Sequence, residues 1–249
     1  MSADRNPDLP ARLDQRLVAL GLAESRSRAR ALIESGVVTV NGQVVTRPAK
    51  APDGEIVVVA DPCPWVSRAA LKLVHALDVF SLQPHGVAAD IGASTGGFTE
   101  VLVDRGAREV HAVDVGHGQL HPRVASLPGV HNHEKVNARY LPKGLMPPLD
   151  WIVSDVSFIS LTKALPRALD LARTDAHLVA LIKPQFEVGP GKVGKGGIVQ
   201  DPELHAEVRE EIADFLGISG WQVLGHADSP ITGSDGNCEF LIAARKRDG

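Results

Sequence analysis

The chain has little of three things. Its 249 residues include only two cysteines, Cys63 and Cys238, far apart and without C-x-x-C spacing. That argues against a disulfide framework or a cysteine-rich zinc site. No run approaches the eighteen or so apolar residues of a membrane span. The first stretch, MSADRNPDLPARLDQR, is polar and has no apolar signal region, so a cytoplasmic protein is expected. There is also no cationic surplus. The net charge is -4, and the first fifty residues carry eight Lys/Arg against five Asp/Glu, leaving -7 for the rest. A polyanion would have to be met by local patches. With 44% hydrophobic residues, the chain can bury a core large enough for one large domain or a small and a medium one.

Two blocks are visible. In the first, residues 9–60, ARLDQRLVALGLA places Leu13, Leu17 and Leu20 at helical spacing. SRSRARALIESG predicts a second helix with Ser25 as N-cap and Gly36 as its stop. Ala29, Leu32 and Ile33 would face inward, with Arg26 and Arg30 outside. VVTVNGQVV reads as a hairpin, since Asn41-Gly42 suits a type I′ turn. APDGEIVVVA adds a turn at Asp53-Gly54 and a further strand. Residues 61–66 are DPCPWV, whose prolines predict a short stiff linker, with Trp65 expected to pack between the blocks in preference to stacking on a base.

The second block, residues 67–249, alternates helices with apolar strands. SRAALKLVHALDVF is helical, with Ser67 as N-cap. Strands are expected in GVAADIG, EVHAVDVG, LDWIVSDVS and HLVALIKP. Their continuous hydrophobicity suits parallel strands covered on both faces. Helices are expected in GGFTEVLVDRG, LTKALPRALDLAR and ELHAEVREEIADFLG. WQVLGHADSP and CEFLIAARK end the chain as strands able to pair antiparallel. The fold class is α/β, a mostly parallel sheet with an antiparallel last strand, behind a small α+β domain.

ADIGASTGGFTEVL, residues 89–102, runs from a strand through glycines into a helix. A dinucleotide fingerprint is G-x-G-x-x-G, but Ser94 stands where its second glycine should be. Asp90 precedes the first glycine, and a carboxylate there suits a cation or an amine better than a pyrophosphate. GPGKVGKG, residues 189–196, lacks the hydroxyl residue of a phosphate-binding loop, because Gly196 ends it. It reads as a mobile loop in which Lys192 and Lys195 can meet phosphates. HGQLH lacks the glutamate of H-E-x-x-H. VHNH has no ligand-rich surroundings in the sequence, so no metal is expected.

D-x-G-x-x-x-G-G resembles the first motif of S-adenosylmethionine (AdoMet)-dependent methyltransferases, whose sheet is Rossmann-like. The resemblance implies that Asp90, Gly92, Ala93, Ser94, Thr95, Gly96 and Gly97 hold the methionine part. It further implies that Asp114, with Val115, takes the ribose hydroxyls and that Asn137 lies near the adenine. Asp155 and Lys183 each follow a strand, which puts them on the rim where an α/β sheet holds its ligand. The front block resembles the RNA-binding module of the ribosomal protein S-four family. On that basis Arg12, Arg16, Arg26, Arg28 and Arg30 would meet phosphates, which position RNA without reading it.

The order Lys72, Asp155, Lys183, Glu239 resembles the tetrad of the FtsJ-type ribose 2′-O-methyltransferases. With SRAALKL, DIGASTGGFTE, SDVSFIS, LIKPQFE and GNCEF, the chain is similar to the TlyA, or hemolysin A, family of rRNA methyltransferases. The resemblance implies cytidine ribose in 16S and/or 23S rRNA as acceptor and ribosomal subunits as partner; without a signal region, a spanning segment or an amphipathic cationic helix, no membrane is expected. A monomer is expected. Lys183 would be the base that takes the hydroxyl proton. Desolvation or a second cation, Lys72, would make a lysine competent for this. Asp155 would orient Lys183, and Glu239 would position Lys72 or the ribose. Three other readings compete: an RNA-binding or ribosome-assembly protein with a vestigial AdoMet site, a membrane-lytic protein, and a small-molecule methyltransferase.

Overall fold

The computed structural model describes residues 10–47, 54–59, 63–189, 191–233 and 235–248. The chain divides into two units between Pro64 and Trp65.

The front unit opens with α1 (Leu13–Ala19) and α2 (Arg26–Glu34). Leu13 and Leu17 are buried with Ala29, Leu32 and Ile33. Leu20 falls on the C-cap of α1 and is exposed. Ser25 accepts the Arg28 N–H at 3.2 Å, satisfying one of the donors that a helix start leaves open. In β1 (Val38–Val40) and β2 (Gln43–Val44), the connecting Asn41 and Gly42 have φ of 52° and 76°, the signs a type I′ turn requires. β3 (Ile56–Val58) pairs antiparallel with the other edge of β1. Of the expected second turn, Asp53 lies outside the described residues, as do Asp61 and Pro62 of the linker.

The second unit begins at Trp65, which packs on its core. α3 (Ala70–Val79) starts later than a Ser67 cap would give. Ala69 already has helical angles, no side chain caps the helix, and the Ser67 carbonyl accepts the Ala70 N–H. There follow β4 (Val87–Ile91), α4 (Gly97–Asp104), β5 (Glu109–Val113), α5 (Pro122–Ala125) and β6 (Val130–His133). The sequence reading missed β6, because two histidines and an asparagine give it no apolar signal. β7 (Leu149–Ser154) is followed by α6 (Leu161–Ala164) and α7 (Pro166–Asp170). These were expected as one helix. Pro166 has no N–H to continue the helix ladder, and β8 (Ala172–Ile182) takes over the last residues of that stretch. α8 (Pro184–Glu187), α9 (Pro202–Ile218), β9 (Trp221–Asp228) and β10 (Phe240–Lys246) complete it.

The seven strands lie in the order β6-β5-β4-β7-β8-β10-β9. The first five are parallel, and β10 runs antiparallel between β8 and β9. Side chains alternate across the sheet. Val87, Ala89 and Ile91 of β4 join the core that includes α9, and Ala88 joins the core that includes α3 and α4. Strand order reverses beside β4, and in open α/β sheets ligands bind at the carboxyl ends around such a point.

Candidate active site

The glycine turn leaves β4 at that point. Gly92 has φ of 89°, where a side chain is strained. A Cβ there would also come within 3.0 Å of the Asp155 carbonyl and of Val156. The other two glycines serve packing: Gly96 sits against Leu120 and Val124, and Gly97 against Ser67 and the Ala70 amide. Ser94 is left-handed, with φ of 48°. Its N–H donates to Asp114 Oδ2 at 2.8 Å, while Asp114 Oδ1 accepts the Gly116 N–H at 2.7 Å. Asp114, one strand over, thus ties down the turn.

Asp90 is fully buried. Its Oδ2 accepts from Thr99 Oγ1 at 2.7 Å, and its Oδ1 has no hydrogen-bond partner among the described residues. Burial, helped by the nearby charges of Asp155 and Asp114 and opposed by the Thr99 bond, pushes its carboxyl up to about 7. It is on the wall of neither cavity described next, so the structure sets it under the turn.

A cavity of about 570 Å³ is walled by Gly92, Ser94, Asp114, Val115, Asn137 and Asp155, among others. Asn137 also caps a short 3₁₀ turn, accepting the Arg139 N–H at 3.0 Å. A second cavity of about 270 Å³ shares Gly92, Ser94 and Asp155 with the first and adds Ala93, Thr95, Gly97 and Lys183. The larger volume is within the range of small-molecule and cofactor sites. A carboxylate able to accept hydroxyls, valine walls and a side-chain-free turn fit AdoMet.

Register explains what surrounds the second cavity. Phe240 pairs with Ile182, so one step further along the antiparallel strands sets Glu239 beside Lys183. Ile91 pairs with Ser154, which sets Gly92 beside Asp155. Lys183 is buried, its Nζ 2.6 Å from Asp155 Oδ1 and donating to Ser157 Oγ at 2.8 Å. Lys72, brought in by α3, is buried against Glu239, Nζ to Oε2 2.5 Å. The four residues thus form two ion pairs. Lys72 is neutralised by its own partner, so it does not stand beside Lys183 as a bare second cation.

Sequence reading missed Thr99, Ser157 and Phe158. Phe158 is 91% exposed, has φ of 65°, lines the larger cavity and leans on Phe186 at 5.1 Å. A bulky residue at positive φ is an outlier, and such strain concentrates at functional sites. In DVSFIS a phenylalanine among apolar neighbours reads as core, which hid it.

In the front unit the arginines gather on an acid that the sequence did not single out. Asp14, fully buried, lies 2.9 Å from Arg12, 3.2 Å from Arg26 and 3.3 Å from Arg30. Burial would raise its carboxyl, but hydrogen bonds from the three guanidinium groups outweigh that and lower it to about 2. Each guanidinium has five donors and is about half exposed, so the trio stays open to anions. Arg16 donates to the Pro10 carbonyl at 2.6 Å and Arg28 to the Cys63 carbonyl. Lys192 and Lys195 line a separate cavity of about 430 Å³, with Lys192 held by Glu207 at 2.9 Å. VHNH does have ligand-rich surroundings: β6 lays it beside Glu109 and His111, contrary to the sequence reading.

The strand order and the cavity at the β4 switch point fit an AdoMet-dependent methyltransferase, the class to which the matching family model assigns the second unit. The FtsJ-like methyltransferase family model matches residues 65–246, and the S4 domain model matches residues 11–55. The chain is 45% identical over 240 residues to the 16S/23S rRNA (cytidine-2′-O)-methyltransferase TlyA of Mycobacterium tuberculosis, covering 94% of this chain and 90% of that one. It is 39% identical to Hemolysin A of Brachyspira hyodysenteriae, over 92% and 98% of the two chains. A solved structure of a hemolysin-named protein from Streptococcus thermophilus superposes with a TM-score of 0.75 at 37% identity, covering 96% of this chain and 89% of that one. The chain belongs to the TlyA family of FtsJ-like methyltransferases. Among its described residues no helix is long and apolar enough to cross a membrane.

Proposed function

We propose that this chain methylates the 2′-hydroxyl of a cytidine ribose in 16S and/or 23S rRNA, in the cytoplasm, with Lys183 as the base. The observation that carries this reading is the placement of Lys183 Nζ. It is buried, held by Asp155 and Ser157, and on the wall of a cavity that also contains the glycine turn. The M. tuberculosis relative bears the name of that activity.

AdoMet, when bound, supplies an electrophilic sulfonium methyl. Gly92 to Gly97 and Asp114 form its seat, with Asn137 and Val115 on the same side and Asp90 beneath. Asp155 and Ser157 together orient the Lys183 amine toward the acceptor. Lys183 can act only as the neutral amine, having first given up its own proton; its Nζ then takes the hydroxyl proton as the ribose oxygen bonds to the methyl carbon, and the sulfur–methyl bond breaks to release the neutral thioether. Lys72 and Glu239, paired just before the start of β10, position the ribose. Much of the rate comes from alignment of the reactants. The front unit presents Arg12, Arg26 and Arg30, with Arg16 and Arg28, to rRNA phosphates, and Lys192 and Lys195 add contacts from the second unit.

The test is incubation with labelled AdoMet and ribosomal subunits, followed by mapping of 2′-O-methylation in rRNA from cells with and without the protein. Label in ribose at cytidine supports the reading. Unlabelled RNA, or label on a base, overturns it.

A further inference from the structure

Away from the methyl-transfer site, β5 and β6 assemble a second cluster of ligating side chains. The two strands pair in parallel, with His111 opposite His131 and Val113 opposite His133. Alternation then puts Glu109 and His111 on the same face as both β6 histidines. Glu109 Oε1 lies 3.0 Å from His111 Nε2 and 3.4 Å from His131 Nε2. One ligand atom from each of the three falls within 4.8 Å of the others.

We propose that Glu109, His111 and His131 bind a divalent transition cation of the zinc type. Tetrahedral zinc with bonds of 2.0–2.1 Å keeps neighbouring ligand atoms about 3.3 Å apart. The two separations from Glu109 Oε1 already match that spacing. Among the described residues the only ion-pair partners of Glu109 are imidazoles; a cation would supply the charge this carboxylate lacks. A carboxylate with two imidazoles suits zinc, cobalt, nickel or copper better than magnesium or calcium, which take oxygen ligands.

The surroundings support the same ligand set. His111 Nδ1 lies 2.8 Å from His133 Nε2. A proton on His111 Nδ1, donated to His133, leaves the His111 Nε2 lone pair facing the cluster. Metal-bound histidines are commonly oriented in this way through their other nitrogen. His111 is buried and fixed. His131 stacks on it at 4.8 Å with a half-exposed side chain, so its ring has room to tilt until both nitrogens converge. Water would fill the fourth position.

β6 is the edge strand of the sheet, and the cation would clamp it to β5. His111 lies three residues before Asp114, roughly 10 Å at the rise of a strand, and none of the three ligands lines either cavity of the methyl-transfer site, so the cation is assigned a structural role.

The experiment uses the full chain without an affinity tag, stripped with a chelator. Zinc is titrated by calorimetry and by thermal melting, and cobalt is added to read coordination from its visible spectrum. Expected are one zinc per chain at micromolar concentration, a melting temperature that rises with zinc, and a four-coordinate cobalt spectrum. His131→Ala, at a half-exposed site, removes a ligand outright and should weaken zinc binding by more than the roughly 10- to 100-fold that loss of a ligand's outer partner costs. Glu109→Gln, which keeps the shape and removes the charge, should do the same. No zinc binding by the unaltered chain, or unchanged affinity in both variants, overturns the proposal. So does a preference for magnesium.

Discussion

Lys183 Nζ stands 2.6 Å from the carboxylate of Asp155, which joins the end of β8 to the loop leaving β7. The contact follows from sheet register, because both strands end at the same edge. Lys183→Ala is expected to lower methyl transfer by about 10²–10⁴-fold, the range for loss of a general base, while AdoMet binding is retained. Labelled AdoMet with ribosomal subunits gives the first quantity and calorimetry the second. Full activity would remove Lys183 from the mechanism.

Phe158 offers an open aromatic face at the rim of the larger cavity. Stacking of a base on such a face contributes about 1–3 kcal/mol. Phe158→Ala should therefore weaken productive rRNA engagement by about 5- to 150-fold without changing AdoMet affinity, and Phe158→Trp should restore most of it. Steady-state kinetics on ribosomal subunits, beside calorimetry with AdoMet alone, separates the two. An equal loss in AdoMet binding would show that the ring merely shapes the cofactor pocket.

Asp14 gathers Arg12, Arg26 and Arg30. Its folded carboxyl, near 2, lies below the ordinary 3.8. The unfolded chain therefore binds the proton more readily, and the stability from this group is present above about pH 4 and lost as pH falls toward 2. Asp14→Asn should destabilise the front unit at neutral pH, flatten that acid limb, and weaken RNA binding by releasing the arginine trio. Melting curves across pH, and RNA binding at fixed salt, measure these effects. Unaltered RNA affinity in a folded Asp14→Asn variant would mean that the trio is not held for RNA.

Asp90 carries the opposite sign. Its folded carboxyl, near 7, lies above the ordinary 3.8. The folded protein then holds the proton longer, so the stability from this group is full below about pH 4 and is lost as pH rises toward 7. Asp90→Asn, which holds no titrating proton, should remove that decline from a melting-temperature profile between pH 4 and 8. A profile with an unchanged slope would show that the buried carboxyl titrates normally.

Much of the fold was legible because its signals are local. Asn41-Gly42, the Ser25 cap and the apolar strands of the second unit each depend on residues within a few positions. The two helices expected as one were separated by Pro166, and the α3 start was misplaced because Ser67 looked like a cap. β6 escaped notice because its apolar content is too small to mark a strand, and only pairing with β5 defines it.

For the site, residue types and their order are readable along the chain: a carboxylate before the glycine turn, an acid after the next strand, and Lys72, Asp155, Lys183 and Glu239 in order. Tertiary structure decided who meets whom. It put Asp90 beneath the turn instead of on a cavity wall. It divided the four tetrad residues into two ion pairs, made Asp14 the partner of three arginines, and exposed Phe158. These outcomes depend on strand register and on which side chains lose water together. Both are set by contacts between residues far apart in the chain, and local pattern does not encode them.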